Sequence, residues 1–483
     1  MTKHKAQQKP YDHFNQYRPF RFRSLTDDQL ALLHDASLEI MARTGMRFYD
    51  EEALALFTKS GADVSDSNLV RIPHHLVEWA TRCAPKNISL YDQTGRRAMS
   101  LGGYRSYFGV GSDCMSIYDL DTGQRRKAVL QDVVNGVRLV DALPNLDFVM
   151  SMYLPSDVPG ESYERRQMAV MLQESTKPIV FVGIEASSTV YAIEMASAVA
   201  GGLEQLQRYP FVINYVNVVS AFKHNQQSLK RVLYAAERNI PTIYAPGQSR
   251  GTMAPITVAG ALALGNAGQL AGLVLTQLKR EGAPFLRSNP GGDGMDMRTM
   301  VSLYASPDRG PFGWELAHHY GIPTFGMAGA SDAKIFDAQA AAEATLTLFD
   351  NLLLGANLIH DVGYLDCAMT GSLELVAFCD EVIGWLRRYF RRLEISEETL
   401  ALDLIHQVGP DGHFIEAKHT LRHVREDWRP SLFDRLDFHR WADQGSTTLQ
   451  QRANKKVKEI LASHRAEPLP TDTVELINVI RDS

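Results

Sequence analysis

The sequence predicts an α/β fold: one large (β/α)8 TIM barrel over residues 103–395, an N-terminal α/β cap over 1–102, and a C-terminal helical extension over 396–483. Eight short apolar runs carry that prediction, at 104–108, 148–154, 178–183, 211–216, 242–246, 284–288, 323–327 and 358–362. Between them lie longer segments of helical periodicity, and strands alternating with helices build a parallel sheet through right-handed crossovers. Eight such units match a closed barrel. An open doubly wound sheet would want a dinucleotide fingerprint at its first turn. Gly109-Val110-Gly111-Ser112 lacks the third glycine and runs into a hairpin pattern, Tyr118-Asp119-Leu120-Asp121-Thr122-Gly123.

The elements follow in order. Thr26-Asp27-Asp28 caps an opening helix over 26–44, with early negative charge at its positive end. A helix over 51–60, a strand near 69–72 and a helix over 74–83 complete the cap. Barrel helices are expected at 163–174, 187–200, 225–237, 297–318, 338–354 and 373–388. The stretch 253–278 is apolar and small, but it holds Asn266, Gln269 and Gln277, which suits a buried barrel helix better than a membrane span. Beyond 396, the segments around Trp428-Arg429-Pro430 and Leu432-Phe433-Asp434-Arg435 read as a strap around the barrel. An amphipathic helix over 447–462 offers a face to a partner subunit, and a homo-oligomer is compatible with such a strap.

Bulk composition narrows the function. The 483 residues are 45% hydrophobic and carry a net charge of -6, with only brief basic clusters such as Arg125-Arg126-Lys127, so no nucleic-acid partner is expected. Four cysteines without a CxxC pair suggest neither a disulfide framework nor a zinc site, and point to a reducing, cytoplasmic setting. The N-terminal twenty residues lack the apolar core of a signal peptide.

In such a barrel the chemistry sits at the C-terminal ends of the strands. The residues expected there are rich in Tyr, Asn, Ser and Gly and poor in acids, with no HExxH, nucleophile elbow or Walker loop. Asp293-Gly294-Met295-Asp296 reads first as a turn and helix cap rather than a cation site. No metal ligand set is assigned.

Several motifs together resemble the trimethylamine methyltransferase superfamily. They are Phe108-Gly109-Val110-Gly111-Ser112-Asp113, Met327-Ala328-Gly329-Ala330-Ser331-Asp332-Ala333-Lys334, Gly355-Ala356-Asn357-Leu358-Ile359-His360, Ser372-Leu373-Glu374-Leu375 and Gly409-Pro410-Asp411-Gly412-His413-Phe414. The resemblance spans roughly residues 26–462. It implies a methyltransferase that moves a methyl group from an amine to the cobalt(I) of a corrinoid carried by a small partner protein, with no cofactor tightly bound to this chain. Archaeal trimethylamine members, in a family tied to methanogenesis, carry pyrrolysine. This chain has only standard residues and so resembles the non-pyrrolysine branch, whose substrates are quaternary amines such as glycine betaine. Cobalt(I) is then the nucleophile, and no protein residue is assigned a catalytic role. A quaternary nitrogen already makes a neutral leaving group, so the protein has to hold the cation, aim one methyl and exclude water.

On that reading His360 faces the substrate carboxylate or the corrinoid. Tyr107, Phe108, Tyr244 and Tyr364 are the candidates for a cation cage. Asn214, Gln248 and Asn289 hydrogen-bond the substrate or order a loop. Gly111, Asp113, Gly291, Gly292, Ser331, Asp332 and Lys334 form loops facing the corrinoid, the last two by capping and ion pairing. Two other functions are carried alongside. A barrel lyase or aldolase would want a strand-end Schiff-base lysine, and Lys334 lies outside the strand. A binding protein could hold a quaternary amine without turnover.

Overall fold

A computed structural model describes residues 22–292, 294–306 and 310–483. Numbered by the eight expected runs, strand one is Tyr107–Phe108, strand three Ile179–Val182, strand four Val212–Val218 and strand five Thr242–Pro246. Strand six is Phe285–Ser288, strand seven Thr324–Met327 and strand eight Leu358–His360. These seven pair in parallel in the order one, eight, seven, six, five, four, three. The second run supplies single parallel bridges, Phe148 to Gly109 and Val149 to Ile179, which join strand one to strand three and close the ring. A helix follows every run, from Leu130–Ala142 after the first to Leu373–Tyr389 after the eighth.

The cap begins where the sequence places it. Thr26 accepts from the Gln29 backbone at 3.2 Å while the Gln29 side chain returns to the Thr26 N–H at 2.9 Å, a capping box that starts the helix Asp27–Glu39. The cap strand Met46–Phe48 pairs in parallel with Lys223–His224, so the cap sheet recruits the loop after strand four. Its apolar core continues into the barrel helix Val258–Lys279.

That helix is long and apolar enough to cross a membrane, yet most of it is buried inside the fold. Three glycines let it approach. A Cβ on Gly265 would stand 2.2 Å from the Pro290 carbonyl, on Gly268 2.7 Å from Ala221, and on Gly272 2.2 Å from the Tyr244 ring. Tyr244 is fully buried and hydrogen-bonded to His224, so its ring has nowhere to go. Gly272→Ala should therefore lower stability by about 1–2 kcal/mol in chemical denaturation. An unchanged midpoint would show that the helix can shift instead.

Two expectations are corrected. The stretch expected as one helix over 297–318 is a hairpin, Gly294–Asp296 with Val301–Leu303, then a shorter helix, Pro311–His319. Asp296 accepts the Arg298 N–H at 2.9 Å and turns the chain, and Pro311, lacking an N–H, fits only the first helical turn. The amphipathic helix Leu449–Ser463 does not keep its face for a partner. It buries Ala453 and Val457 against the barrel, and Asn454 donates to the Leu120 carbonyl at 2.9 Å and to Glu374 at 3.0 Å. Upstream, the Glu381 carboxylate accepts the N–H groups of Ser431, Leu432 and Phe433 at 2.6, 2.9 and 3.2 Å, pinning the strap to the last barrel helix.

Candidate functional site

Strand parity decides what faces the barrel interior, because successive side chains point to opposite faces of a sheet. On strand four Tyr215 and Asn217 face inward. On strands seven and eight Phe325 and His360 do. The three rings form one layer across the barrel. Phe325 stacks on His360 with centroids 4.0 Å apart, and Tyr215 meets Phe325 at 4.9 Å and His360 edge-on at 5.8 Å. The His360 ring is fixed by its Nδ1, 2.6 Å from the Gly326 carbonyl, which leaves Nε2 3.4 Å from Asp361.

Above this layer opens a cavity of about 550 Å3, within the usual size of a small-molecule site. Its inner part is walled by Tyr215, Asn217, Gln248, Asn289, Phe325, His360 and Asp361, and at the rim by Gly247 and Gly292. It continues outward past Tyr304 to Trp314, Phe349 and Asp350 on the helices behind strand seven. Gly326 has no side chain because a Cβ there would stand 2.6 Å from the Trp314 ring. Gln248 donates to the Ala261 and Pro290 carbonyls at 2.7 and 3.2 Å, which fixes its amide orientation and leaves its Oε1 without a partner among the described residues.

Asp361 is the buried carboxylate of the inner cavity. It is 4% exposed and holds a left-handed backbone with φ of 71°. Such strain persists only where the surroundings enforce it, and it recurs at functional sites. Asp113, also left-handed, lies in its field; burial first, and the charges of Glu164 and Asp361 with it, push the Asp113 carboxyl up to about 6. Burial likewise raises Asp350 in the outer part to about 6. No Lys or Arg lines the cavity among the described residues. The lining is as sparing of acids as the sequence suggests, with Asp361 and Asp350 its carboxylates among the described residues.

Of the sequence candidates, His360, Gln248, Asn289 and Gly292 line the cavity. The four cage aromatics do not. The Tyr107 hydroxyl accepts from the Ser100 backbone in the preceding hairpin at 3.1 Å, and burial pushes its pKa up to about 12. Phe108 is buried beneath Arg387 of the last barrel helix. Tyr244 points outward to His224. Tyr364 donates to the Ser112 carbonyl at 2.7 Å, as a support under the loop after strand one. Asn214 is likewise outward, bonded to Thr189 at 3.3 Å and facing Arg231. The rings that do line the cavity are Tyr215, Phe325, Trp314, Tyr304 and Phe349.

The remaining candidates hold loops. Gly111 stands where a Cβ would be 2.0 Å from the Asp361 carboxylate. The Gly291 N–H donates to Asn289 at 2.9 Å. Asp332 accepts the N–H groups of Tyr304 and Ala305 at 2.8 and 3.2 Å, pinning a cavity wall rather than capping the next helix, whose cap is Asp337. Ser331 donates to Glu343 at 2.6 Å, and Lys334 pairs with Asp366 at 3.0 Å. Asp293, in the turn considered for a cation, lies outside the described residues.

Residues 2–480 match the family model for trimethylamine methyltransferase (MTTB). The trimethylamine methyltransferase MttB of Desulfitobacterium hafniense (strain DSM 10664 / DCB-2) is 32% identical over 456 residues, 93% of this chain and 92% of that protein. A glycine betaine methyltransferase of Desulfitobacterium hafniense (strain Y51) is 30% identical over 450 residues, 92% and 93% of the two chains. Among solved structures, the monomethylamine methyltransferase of Methanosarcina barkeri is similar in fold, with a TM-score of 0.52 at 12% identity, over 90% of this chain and 87% of that one.

Proposed function

Because the chain belongs to the trimethylamine methyltransferase family, we propose that its barrel mouth binds a methylated ammonium, glycine betaine foremost, and presents one methyl group to the cobalt(I) of a corrinoid on a partner protein. The observation that carries this reading is the layer of Tyr215, Phe325 and His360 under the buried Asp361 carboxylate, in a wall without lysine or arginine among the described residues. Ring faces and a carboxylate hold a cation that has no N–H to donate. For the carboxylate of glycine betaine, the amides of Asn217 and Asn289 stand among the polar groups of the same wall.

A corrinoid in its cobalt(I) state supplies an electron pair for the methyl carbon, and the C–N pair stays on nitrogen as a neutral amine. The rim suits an approaching macrocycle, since Gly247 and Gly292 bound it with backbone instead of side chains. The chain's own part is placement. His360, locked by the Gly326 carbonyl, cannot rotate away from the cation, and the aromatic layer closes the barrel beneath it. Neither a Schiff-base lysine nor a metal cluster lines this cavity among the described residues, which favours methyl transfer over a lyase reaction.

Calorimetric titration with glycine betaine, with trimethylamine and dimethylglycine in parallel, tests the binding half. Methylation of added cob(I)alamin tests the transfer. Tyr215→Ala should weaken binding about fivefold or more, as expected for one ring facing a cation. His360→Ala should weaken it further, and Tyr107→Phe should leave it unchanged. Binding without any methyl transfer would favour a sequestering protein. A Tyr107 effect equal to that of Tyr215 would contradict the inward layer.

A further inference from the structure

We propose that Glu398, His419 and His423 form a zinc site that clips the C-terminal extension together. His419 and His423 are four residues apart on the short helix Lys418–His423, so both rings stand on one face, with centroids 4.3 Å apart. Glu398 arrives from a separate turn, and one donor atom of each residue lies within 4.8 Å of the other two. His423 Nε2 is 3.3 Å from Glu398 Oε1, and His419 Nε2 is 3.1 Å from the Glu398 carbonyl. Ligands about 2.0–2.1 Å from a tetrahedral zinc ion stand roughly 3.3 Å from one another, so one edge of the tetrahedron is already formed.

The outer contacts suit a metal as well. His423 Nδ1 lies 2.7 Å from Glu426, and a metal at Nε2 would take the place of the proton that this nitrogen shares with Glu398. That carboxylate–histidine arrangement recurs behind metal-bound imidazoles. Two imidazoles and a carboxylate suit zinc better than calcium or magnesium, with water completing the tetrahedron. Arg422 sits on the same Glu398 oxygen at 2.8 Å and competes with the ion, but the carboxylate has a second oxygen to offer.

The surroundings give such a clip a purpose. The helices Glu397–Leu400, Leu402–Val408 and Lys418–His423 bury no residue at all. Isolated helices this short are not stable in water. A metal bridging residues 398 and 423 would replace the missing core, as metals do in small domains.

Full-length protein without a histidine tag, stripped with chelator and dialysed, should bind one equivalent of zinc at neutral pH by competition titration and metal analysis. Limited proteolysis of the extension should slow at least fivefold when zinc is added. His419→Ala/His423→Ala should lose both effects while keeping amine binding at the barrel mouth, which shows that it is folded. Glu426→Gln should keep the site but weaken it about 10–100-fold. Cobalt(II) in place of zinc should give the intense visible bands of tetrahedral coordination. Zero equivalents bound, or zinc binding that survives in the double variant, would overturn the site and leave an ion-pair cluster.

Discussion

Gly111→Ala should lower kcat/KM for methyl transfer at least about 100-fold while the barrel stays folded. The added Cβ would stand 2.0 Å from the Asp361 carboxylate oxygen and 2.6 Å from the Tyr364 hydroxyl. Neither can retreat. Tyr364 is 1% exposed and bonded to the Ser112 carbonyl at 2.7 Å. Asp361 is already held in a left-handed backbone. The carboxylate beside the aromatic layer must move, and an ångström of misplacement at a reacting centre is worth about two orders of magnitude in rate. Gly160→Ala is the control, since a Cβ there meets nothing within 4 Å. Circular dichroism and gel filtration report folding, and single-turnover methylation reports rate. Activity within threefold of the parent would mean that Asp361 does not need that contact.

The barrel was legible because its signal is repeated. Each run gives only a few apolar residues, but eight in alternation with helices leave one closed topology, and even run two, reduced to bridges at Phe148 and Val149, fell where expected. The site was legible only to the nearest residue. Asn214 and Tyr244 are expected at the site, yet their chain neighbours Tyr215 and Ala245 line the cavity instead; which of each pair faces inward is a matter of parity, and an error of one residue reverses the face. Counting inward from His360 along paired strands would have selected Phe325 and Tyr215, since Met327 pairs with His360 and Phe325 shares its face. Trp314 and Asp350 gave no such signal. They come from helices behind the sheet, and only the glycine at 326 hints that a large ring fills the space there. Nothing local in the sequence marks Asp113 and Asp361 as neighbours, because their proximity depends on two loops meeting.

If the barrel mouth holds a methylated ammonium as proposed, its affinity should depend on pH. Burial, with the neighbouring Glu164 and Asp361 charges, raises the Asp113 carboxyl from 3.8 to about 6. Between those values the folded chain keeps a proton that the unfolded chain has lost, so stability falls as pH rises from about 4 to 6 and stays reduced above it. Over the same range two carboxyls ionise, Asp113 beside Asp361 and Asp350 in the outer part of the cavity. A quaternary amine has nothing to titrate there, so its affinity should rise about tenfold from pH 5 to pH 8, following the ionised fraction of a group with a pKa near 6. Asp113→Asn should flatten part of that rise, with Asp350 supplying the rest, and stabilise the protein at pH 7 by about 1–2 kcal/mol, less than the full shift implies because the side chain is partly solvated. The two effects run in opposite directions, as expected of a group kept for binding at the expense of stability. Titration at pH 5, 6, 7 and 8 with thermal melts of both proteins measures them together. Equal affinity of the parent protein at pH 5 and pH 8 would place the cation out of reach of both Asp113 and Asp350, and would leave the electrostatic part of binding to Asp361.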